Sequence, residues 1–255
     1  MVIVIIQARM GSTRLPEKIM KEISGRPLLL HAINRAKLSK RIDKVVVATT
    51  TLPQDDIVVE KCKEWKTDVF RGHPEDLLDR FYNAATEFSA DHVVRITGDC
   101  PFIDPELIDT VVEKYMEFGD YDTLALEGTY PDGLDTRIFS FKALEKAYRE
   151  AELPSERENV MPYIVKNFSE YKIPCDEDHS KIRLTVDEER DLVFARELFK
   201  RLGKTKGEEV FHYKDIMRLL KGEPELLEIN SGIRRNEGYL RSLEADKEFS
   251  KEDKG

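Results

Sequence analysis

Three cationic side chains follow the first apolar segment of the chain closely. Residues 2–6 are five apolar residues in a row, which is typical of a strand covered on both faces. The loop after them carries three cations: Arg9, Arg14 and Lys18. Gly11 lacks a Cβ and lets backbone amides approach a bulky anion, while Ser12 and Thr13 add hydroxyl donors. Arginine and lysine in this setting suit a polyphosphate, although a solvated basic loop remains the alternative.

Two carboxylates follow apolar segments elsewhere in the chain. Asp99 comes after residues 92–97, and Asp187 comes directly after residues 182–186. A carboxylate that faces a basic phosphate loop is a natural ligand for a Mg²⁺ ion that bridges phosphates. Each aspartate could instead cap the helix after it, and for Asp187 the spacing by itself favours that role. Asp104 is the better cap for the helix after Asp99, which leaves Asp99 available for a metal.

Strand-like and helix-like segments alternate along the chain. This order predicts an α/β fold of three layers, α/β/α, with a mostly parallel Rossmann-like sheet. The predicted strands are 2–6, 44–49, 67–71, 92–97, 121–126, 135–139, 171–173 and 182–186. The predicted helices are 28–40, 55–65, 76–88, 106–118, 141–150, 155–166, 188–202 and 212–221, with a further helix from Asn236. Ligands of such sheets bind beyond the carboxyl ends of the strands, which places the loops after Ile6, Phe70 and Ile96 on one rim.

Composition limits the function classes. The chain has 255 residues with 41 basic and 50 acidic side chains, and its net charge of −9 argues against a general nucleic-acid or membrane-surface binder. No apolar stretch of the sequence reaches the length of a membrane-spanning helix, and the N-terminus lacks the basic leader of a signal peptide. The three scattered cysteines fit neither a disulfide framework nor a zinc site, which favours a reduced, cytoplasmic protein.

The first loop carries a specific resemblance. Its sequence, QARMGSTRLPEK, resembles the nucleotide-binding loop of the CMP-sugar (acylneuraminate) cytidylyltransferase superfamily, and most of all the spore coat polysaccharide branch. Only Glu17 departs, where that branch often has glycine. The resemblance implies that the backbone from Ala8 to Ser12 and the side chains of Arg9 and Lys18 hold the base and triphosphate of CTP. We expect Gly11 and Arg14 in the same CTP site.

Further motifs extend the resemblance to the metal and the base. RITGDCPFIDP resembles the RxTxDxP motif, whose aspartate binds metal, and here this is Asp99. RLTVDEERD resembles the LTVDxxxD segment, which implies that Asp187 is the second metal carboxylate rather than only a cap. The segment 70–81 resembles one that closes over the base, so Gly72 would contact the cytosine edge and Arg80 would support it or touch substrate. A solvated helix face is the alternative for Arg80.

The acceptor side is expected after residue 120. YPDGLD matches a turn of the branch and supplies Asp132 and Asp135, and SEREN resembles an element that supplies Arg157 and Glu158. Arg95 is expected to support the phosphate loop or to contact the acceptor. In this element Asn159 stands where the branch has histidine, which points to a different acceptor. The resemblance continues to NEGYL at 236–240.

Together these features predict a cytidylyltransferase that transfers CMP from CTP to an acidic sugar or related acceptor, with Mg²⁺, in surface polysaccharide biosynthesis. We expect one domain over 1–243, with a nucleotide half to about 120 and an acceptor half after it, followed by a frayed or extended charged tail, 244–255. By resemblance we expect a homodimer formed through a small hairpin region after residue 120. The alternatives are use of another nucleoside triphosphate, a glycosyltransferase with a DxD site, for which Asp120 and Asp122 have the spacing, and a non-catalytic nucleotide-binding subunit.

Overall fold

The computed structural model describes residues 1–206, 211–233, 235 and 237–252. The strands in these residues are β1 (Val2–Gln7), β2 (Glu22–Ile23), β3 (Arg26–Pro27), β4 (Lys44–Thr50), β5 (Asp68–Gly72), β6 (His92–Thr97), β7 (Thr123–Leu126), β8 (Arg137–Ser140) and β9 (Glu170–Ile173). The α-helices are α1 (Leu28–Lys37), α2 (Asp56–Glu64), α3 (Leu77–Glu87), α4 (Pro105–Phe118), α5 (Phe141–Glu150), α6 (Pro154–Glu158), α7 (Met161–Asn167), α8 (Glu189–Lys206), α9 (Tyr213–Gly222) and α10 (Glu237–Glu252).

The central sheet has seven strands in the order β5-β4-β1-β6-β8-β7-β9. Strand β1 pairs in parallel with β4 and β6, and β7 pairs in parallel with β9. Strand β8 runs antiparallel to both of its neighbours, so the sheet is mostly parallel, as predicted. The carboxyl ends of β1 and β6 therefore lie side by side at one edge. The β7–β8 pair belongs to this sheet and does not form a separate hairpin region.

Helices cover both faces of the sheet, which confirms the predicted three layers. Alternate residues of β1 enter two different cores: Val4 and Ile6 pack with Leu29 of α1, whereas Ile3 and Ile5 pack with Phe81 of α3. This alternation explains why the strand is apolar throughout, since both of its faces are buried. A third core joins α8 and α9 to the first loop through residues that include Leu15, Phe102 and Phe199. That core fixes the end of the loop after β1, residues 8–18, which we call the phosphate loop.

Two predicted elements differ from the structure. Residues 182–186 are extended but form only an isolated bridge, between Arg183 and Asp132, because the backbone of Asp132 alone pairs with this segment, through Ile182 and Leu184. The predicted helix 155–166 is two helices, α6 and α7, since Asn159 is extended between them. Pro162 lies in the first turn of α7, where a proline removes no helical hydrogen bond.

The charged end of the chain is helical rather than frayed. Helix α10 continues to Glu252, and the backbone amide of Ser155 in α6 donates to Asp246 at 2.8 Å. The expectation of an extended tail was therefore wrong for 244–252, while 253–255 and Asn236 lie outside the described residues. Within the described part of the chain, we find no helix with the length and apolar character needed to cross a bilayer.

Candidate active site

A cleft of about 540 Å³ opens at the carboxyl ends of β1 and β6. Most of the residues predicted to bind nucleotide line it: Ala8, Arg9, Gly11, Ser12, Arg14, Lys18, Arg80, Asp99 and Asp187. Parallel strands place their following loops at the same edge, which is why loops so distant in sequence meet here. Four cations line the cleft together with four carboxylates, two of which are the predicted metal ligands, and this mixed lining suits a polyanion that carries a metal.

Asp55 holds the phosphate loop in place, a role that the sequence does not suggest. Its side chain is fully buried, and its Oδ1 accepts the backbone amide of Met10 at 2.6 Å. Its Oδ2 accepts the hydroxyl of Thr50, at the end of β4. The loop is further held by a hydrogen bond from the Ala8 amide to the Ala48 carbonyl at 3.1 Å. From sequence, Asp55 reads as part of a helix start, since aspartate is common there.

Gly98 allows the second wall of the cleft to approach the first. Its amide donates to the Gln7 carbonyl at 2.9 Å. A Cβ at this position would lie 3.0 Å from that carbonyl oxygen and 3.1 Å from the Cβ of Ala8. Both distances are tighter than ordinary contacts, so glycine lets the loop before Asp99 lie directly against the phosphate loop.

Lys18 joins the two predicted metal carboxylates. Its Nζ donates to Asp99 Oδ2 and to Asp187 Oδ1, each at 2.6 Å. Burial by itself lowers the pKa of Lys18, but the two carboxylates outweigh it and raise that pKa above its ordinary value. Burial likewise disfavours a charged Asp99, but the Lys18 charge and hydrogen bond hold the pKa of Asp99 at about 2. One cation therefore already reaches both aspartates, and Asp99 stays ionised at neutral pH.

The second carboxylate is oriented by a buried ionic network. Arg183 donates to Asp187 Oδ2 at 2.7 Å and also to Asp132 and Asp191. Asp191 is fully buried; its Oδ2 accepts the amides of Asp187 and Glu188, and its Oδ1 accepts the amide group of Asn230. Asp191 thus caps the backbone, as expected for a helix-start residue, and the Asp187 side chain is left to face Lys18.

Asp104 confirms its predicted role as a helix cap. Its Oδ1 accepts the amide of Glu106 at 2.8 Å at the start of α4, and its Oδ2 accepts the amide of Tyr213. With Glu106 and His212 it also forms a group whose potential metal-ligand atoms lie within 4.8 Å of one another. None of the three lines the cleft, and the Asp104 oxygens are already used by two helix starts.

Gly72, predicted to contact the cytosine edge, does not line the cleft. It ends β5, and a Cβ there would lie 2.9 Å from the Cγ of Arg80, so its lack of a side chain makes room for that arginine. Arg80 is buried and donates to the carbonyls of His73 and Pro74, each at 3.1 Å. His73 in turn accepts the Asp76 amide on Nδ1 at 2.9 Å. Arg80 therefore lines the cleft and supports the loop at 73–75.

A second pocket, of about 780 Å³, adjoins the cleft. The two share five residues: Arg14, Thr97, Asp99, Asn159 and Asp187. Three of the predicted acceptor residues, Arg95, Asp132 and Asp135, line the second pocket. The two aspartates that Lys18 joins therefore stand at the junction between the cleft and the second pocket.

The other two predicted acceptor residues lie elsewhere. Arg157 forms an ion pair with Asp76 and donates to the Tyr148 carbonyl at 2.8 Å, so it ties α6 to α3 and α5. Glu158 lines the nucleotide cleft instead of the second pocket. The neighbouring Asn159 lines both, and its amide group donates to Ser242 of α10 at 3.0 Å. It stands at the position where the spore coat branch has histidine, and it links both pockets to α10.

Comparison with known proteins gives consistent results. A family model described as "Cytidylyltransferase" matches residues 3–233. An uncharacterized protein of Methanocaldococcus jannaschii is 38% identical over 239 residues, which cover 92% of this chain and 96% of that protein. The spore coat polysaccharide biosynthesis protein SpsF of Bacillus subtilis is 32% identical over 213 residues, covering 80% and 88%. A solved cytidylyltransferase structure from Leptospira borgpetersenii superposes with a TM-score of 0.84 at 35% identity, covering 92% of this chain and 99% of that one.

Proposed function

The chain belongs to the cytidylyltransferase family and is a CTP-dependent nucleotidyltransferase, and from this premise we propose that it transfers CMP to a small acidic acceptor with release of pyrophosphate. The acceptor we propose is an acidic sugar or a related metabolite, used in surface polysaccharide or glycoconjugate biosynthesis. The observation that carries the proposal is the position of Asp99 and Asp187, which line both the nucleotide cleft and the second pocket. A reaction between two bound molecules needs such a junction.

In the proposed reaction an acceptor oxygen attacks the α-phosphorus of CTP in line. The new phosphorus–oxygen bond forms as the bond to the β-phosphate oxygen breaks, and pyrophosphate leaves with that electron pair. The proton of the acceptor passes to solvent. Arg9, Arg14 and Lys18 line the cleft where negative charge builds on the leaving group. The protein's contribution is mainly positioning and electrostatic stabilisation.

Asp99 and Asp187 have the donor set that Mg²⁺ prefers. Two protein carboxylates with room for phosphate oxygens and water suit Mg²⁺, which usually keeps several non-protein ligands. The Lys18 contacts support this fit, because its single ammonium group shows that one cation can reach both carboxylates, each at 2.6 Å. Bound there, Mg²⁺ would neutralise charge on the α-phosphate. Lys18, freed from the carboxylates, would reach the phosphates themselves.

The test is pyrophosphate release from purified protein with CTP and a panel of acidic metabolites. We expect release with CTP and at least one acceptor, and release at least tenfold slower with UTP, GTP or ATP. Equal rates with another nucleotide would contradict the cytidine preference. Transfer from a sugar nucleotide without pyrophosphate release would favour the glycosyltransferase alternative. Against that alternative, Asp122 accepts the hydroxyl and amide of Ser169 and lines neither pocket, so the DxD spacing does not form a site.

Two further parts of the proposal concern the state of the protein. All three cysteines are free, which supports the predicted reduced, cytoplasmic location. The homodimer predicted through the segment after residue 120 is checked by light scattering on a sizing column. A mass near 29.6 kDa at micromolar concentration would contradict a dimer.

A further inference from the structure

Four adjacent strands carry a row of aligned residues across the floor of the second pocket. Arg95 of β6 pairs with Arg137 of β8, Arg137 with Ala125 of β7, and Ala125 with Lys172 of β9. Residues paired in this way point to the same face of a sheet. All four line the pocket. The row, which we call the cationic row, is therefore Arg95, Arg137, Ala125 and Lys172, with a small residue that leaves space between the cations.

The cationic row is charged beyond what the neighbouring acids compensate. Arg137 forms an ion pair with Glu170, and Lys172 lies 3.3 Å from the same carboxylate. Arg95 donates to the side chain of Gln7 at 3.1 Å, and a neutral amide brings no charge. In direct ion pairs, the three cations thus share one carboxylate, that of Glu170. Like charges directly opposite each other in a sheet are destabilising, so such an arrangement indicates a missing anion.

The other acids of the pocket are engaged by different cations. Asp132 pairs with Arg183 and Arg235, and Asp135 pairs with Arg235. Asp99 and Asp187 pair with Lys18. The pocket is therefore divided into an acidic part, already paired, and the cationic row. Burial is the main cause that lowers the pKa of Arg95; the charge of Asp135 opposes it, and that of Arg137, which is paired with Arg95 across the sheet, adds to it.

Helix α7 forms the wall above the row. It contributes apolar side chains, from Met161, Pro162 and Val165, and the exposed cation Lys166. A bound molecule would therefore contact cations on one side and apolar groups on the other. Arg95 precedes Asp99 by four residues, so at about 3.3 Å per residue the Cα atoms of these two residues lie no more than roughly 13 Å apart. This is the length of a small metabolite.

We propose that the acceptor carries, besides its attacking oxygen, a doubly charged group that lies on the cationic row, a phosphate monoester or a phosphonate. Three cations against one carboxylate leave two positive charges, which a dianion matches and a single carboxylate does not. The inference rests on the proposed function, because it assigns the second pocket to the acceptor. The inference narrows the proposed acidic acceptor to one that carries a phosphate monoester or a phosphonate.

The first experiment uses inorganic phosphate as the probe, with protein saturated by CTP so that phosphate can reach only the second pocket. We expect calorimetric titration to detect phosphate binding, and acetate to bind at least fivefold more weakly. Binding should weaken at least fivefold in Arg137→Gln and in Lys172→Gln. Lys172→Gln changes a half-exposed side chain and leaves the Arg137–Glu170 pair intact. It therefore tests the row even if Arg137→Gln fails to fold. The matched control is Arg149→Gln, an arginine on α5 paired with one carboxylate, Glu145, on the surface.

The outcomes separate this inference from the proposed function. Three results would overturn the proposal that the acceptor carries a dianion: no phosphate binding to CTP-saturated protein, equal binding of acetate, or an equal loss of phosphate binding in Arg149→Gln. Absence of CTP binding would instead contradict the proposed function itself. A second arm measures pyrophosphate release with metabolites that bear a phosphate monoester, a phosphonate or only a carboxylate. Turnover confined to carboxylates overturns the inference, and phosphatase treatment of the CMP product distinguishes the two supporting classes, because a carbon–phosphorus bond resists it.

Discussion

Lys18 Nζ lies 2.6 Å from Asp99 Oδ2, although 81 residues separate them in the chain. The contact joins the loop after β1 to the loop after β6, and Asp187 completes it at 2.6 Å from the same nitrogen. The two carboxylates are therefore held together by a cation of the protein. A metal ion bound by both carboxylates would take the place of this ammonium group, which would then be available to bind phosphate.

Removal of either member of this contact should lower turnover. We predict that Lys18→Ala and Asp99→Ala each reduce kcat at least roughly 10²-fold, since each removes charge stabilisation of the transition state. Pyrophosphate release under saturating CTP is the measurement. Lys61→Ala, on the surface of α2 and paired with Glu64, serves as the control and should keep its rate. A near-normal rate in Asp99→Ala would contradict its metal role.

Asp187 should affect the metal requirement in particular. In Asp187→Asn one charged ligand becomes neutral while the shape of the side chain is kept. We therefore expect the Mg²⁺ concentration for half-maximal rate to rise by about tenfold or more. Glu189→Gln, an exposed acid two residues further along, should leave the Mg²⁺ curve unchanged. If the Asp187→Asn curve also superposes on that of the wild type, Asp187 is not a metal ligand.

Asp55 provides a test of how the phosphate loop is positioned. Asp55→Asn replaces an oxygen acceptor of the Met10 amide or the Thr50 hydroxyl by a donor, in a fully buried place. We predict a loss of about 1–3 kcal/mol in the free energy of unfolding and at least tenfold weaker CTP binding. The neighbouring Asp56 is exposed and pairs with Arg71, so Asp56→Asn is the matched control. Unchanged CTP affinity in Asp55→Asn would show that the loop does not depend on this contact.

The ion pair of Asp99 has a consequence in acid. Its pKa in the folded protein, about 2, lies below the ordinary 3.8, so the pair stabilises the fold above pH 4 and this contribution is lost as the pH falls from about 4 to about 2. The shift corresponds to about 2 kcal/mol. Urea unfolding at pH 5 and at pH 2 measures it. We expect the wild type to lose about 2 kcal/mol more than Asp99→Asn between these pH values, and an equal loss in both would contradict the assigned cause.

Much of the cleft could be predicted from sequence because its residues lie in short motifs that directly follow strands. Lys18 and Asp99 are of this kind, because the parallel strands β1 and β6 bring their loops to one edge, while Asp187 follows an extended segment that forms only an isolated bridge. The loop support could not be predicted in the same way. Asp55 precedes a helix, where aspartate is usual, and only the fold shows that its carboxylate turns toward Met10.

The second pocket was less predictable because it depends on strand order and register. Arg95, Arg137 and Lys172 lie far apart in the chain, and they align only because β8 is inserted antiparallel between β6 and β7. Arg157, by contrast, lies in a segment that resembles a family motif, but in the fold its guanidinium pairs with Asp76. A motif match identifies a similar segment, whereas the direction of a long side chain follows from what packs beside it.

The most direct measurement is the anomalous diffraction of Mn²⁺ in crystals grown with CTP and Mn²⁺ in place of Mg²⁺. We predict a single strong peak within coordination distance of Asp99, Asp187 and a CTP phosphate oxygen, with Lys18 Nζ moved from the carboxylates to the phosphates. A peak elsewhere, or CTP bound while Lys18 still bridges the two aspartates, would contradict the proposed site.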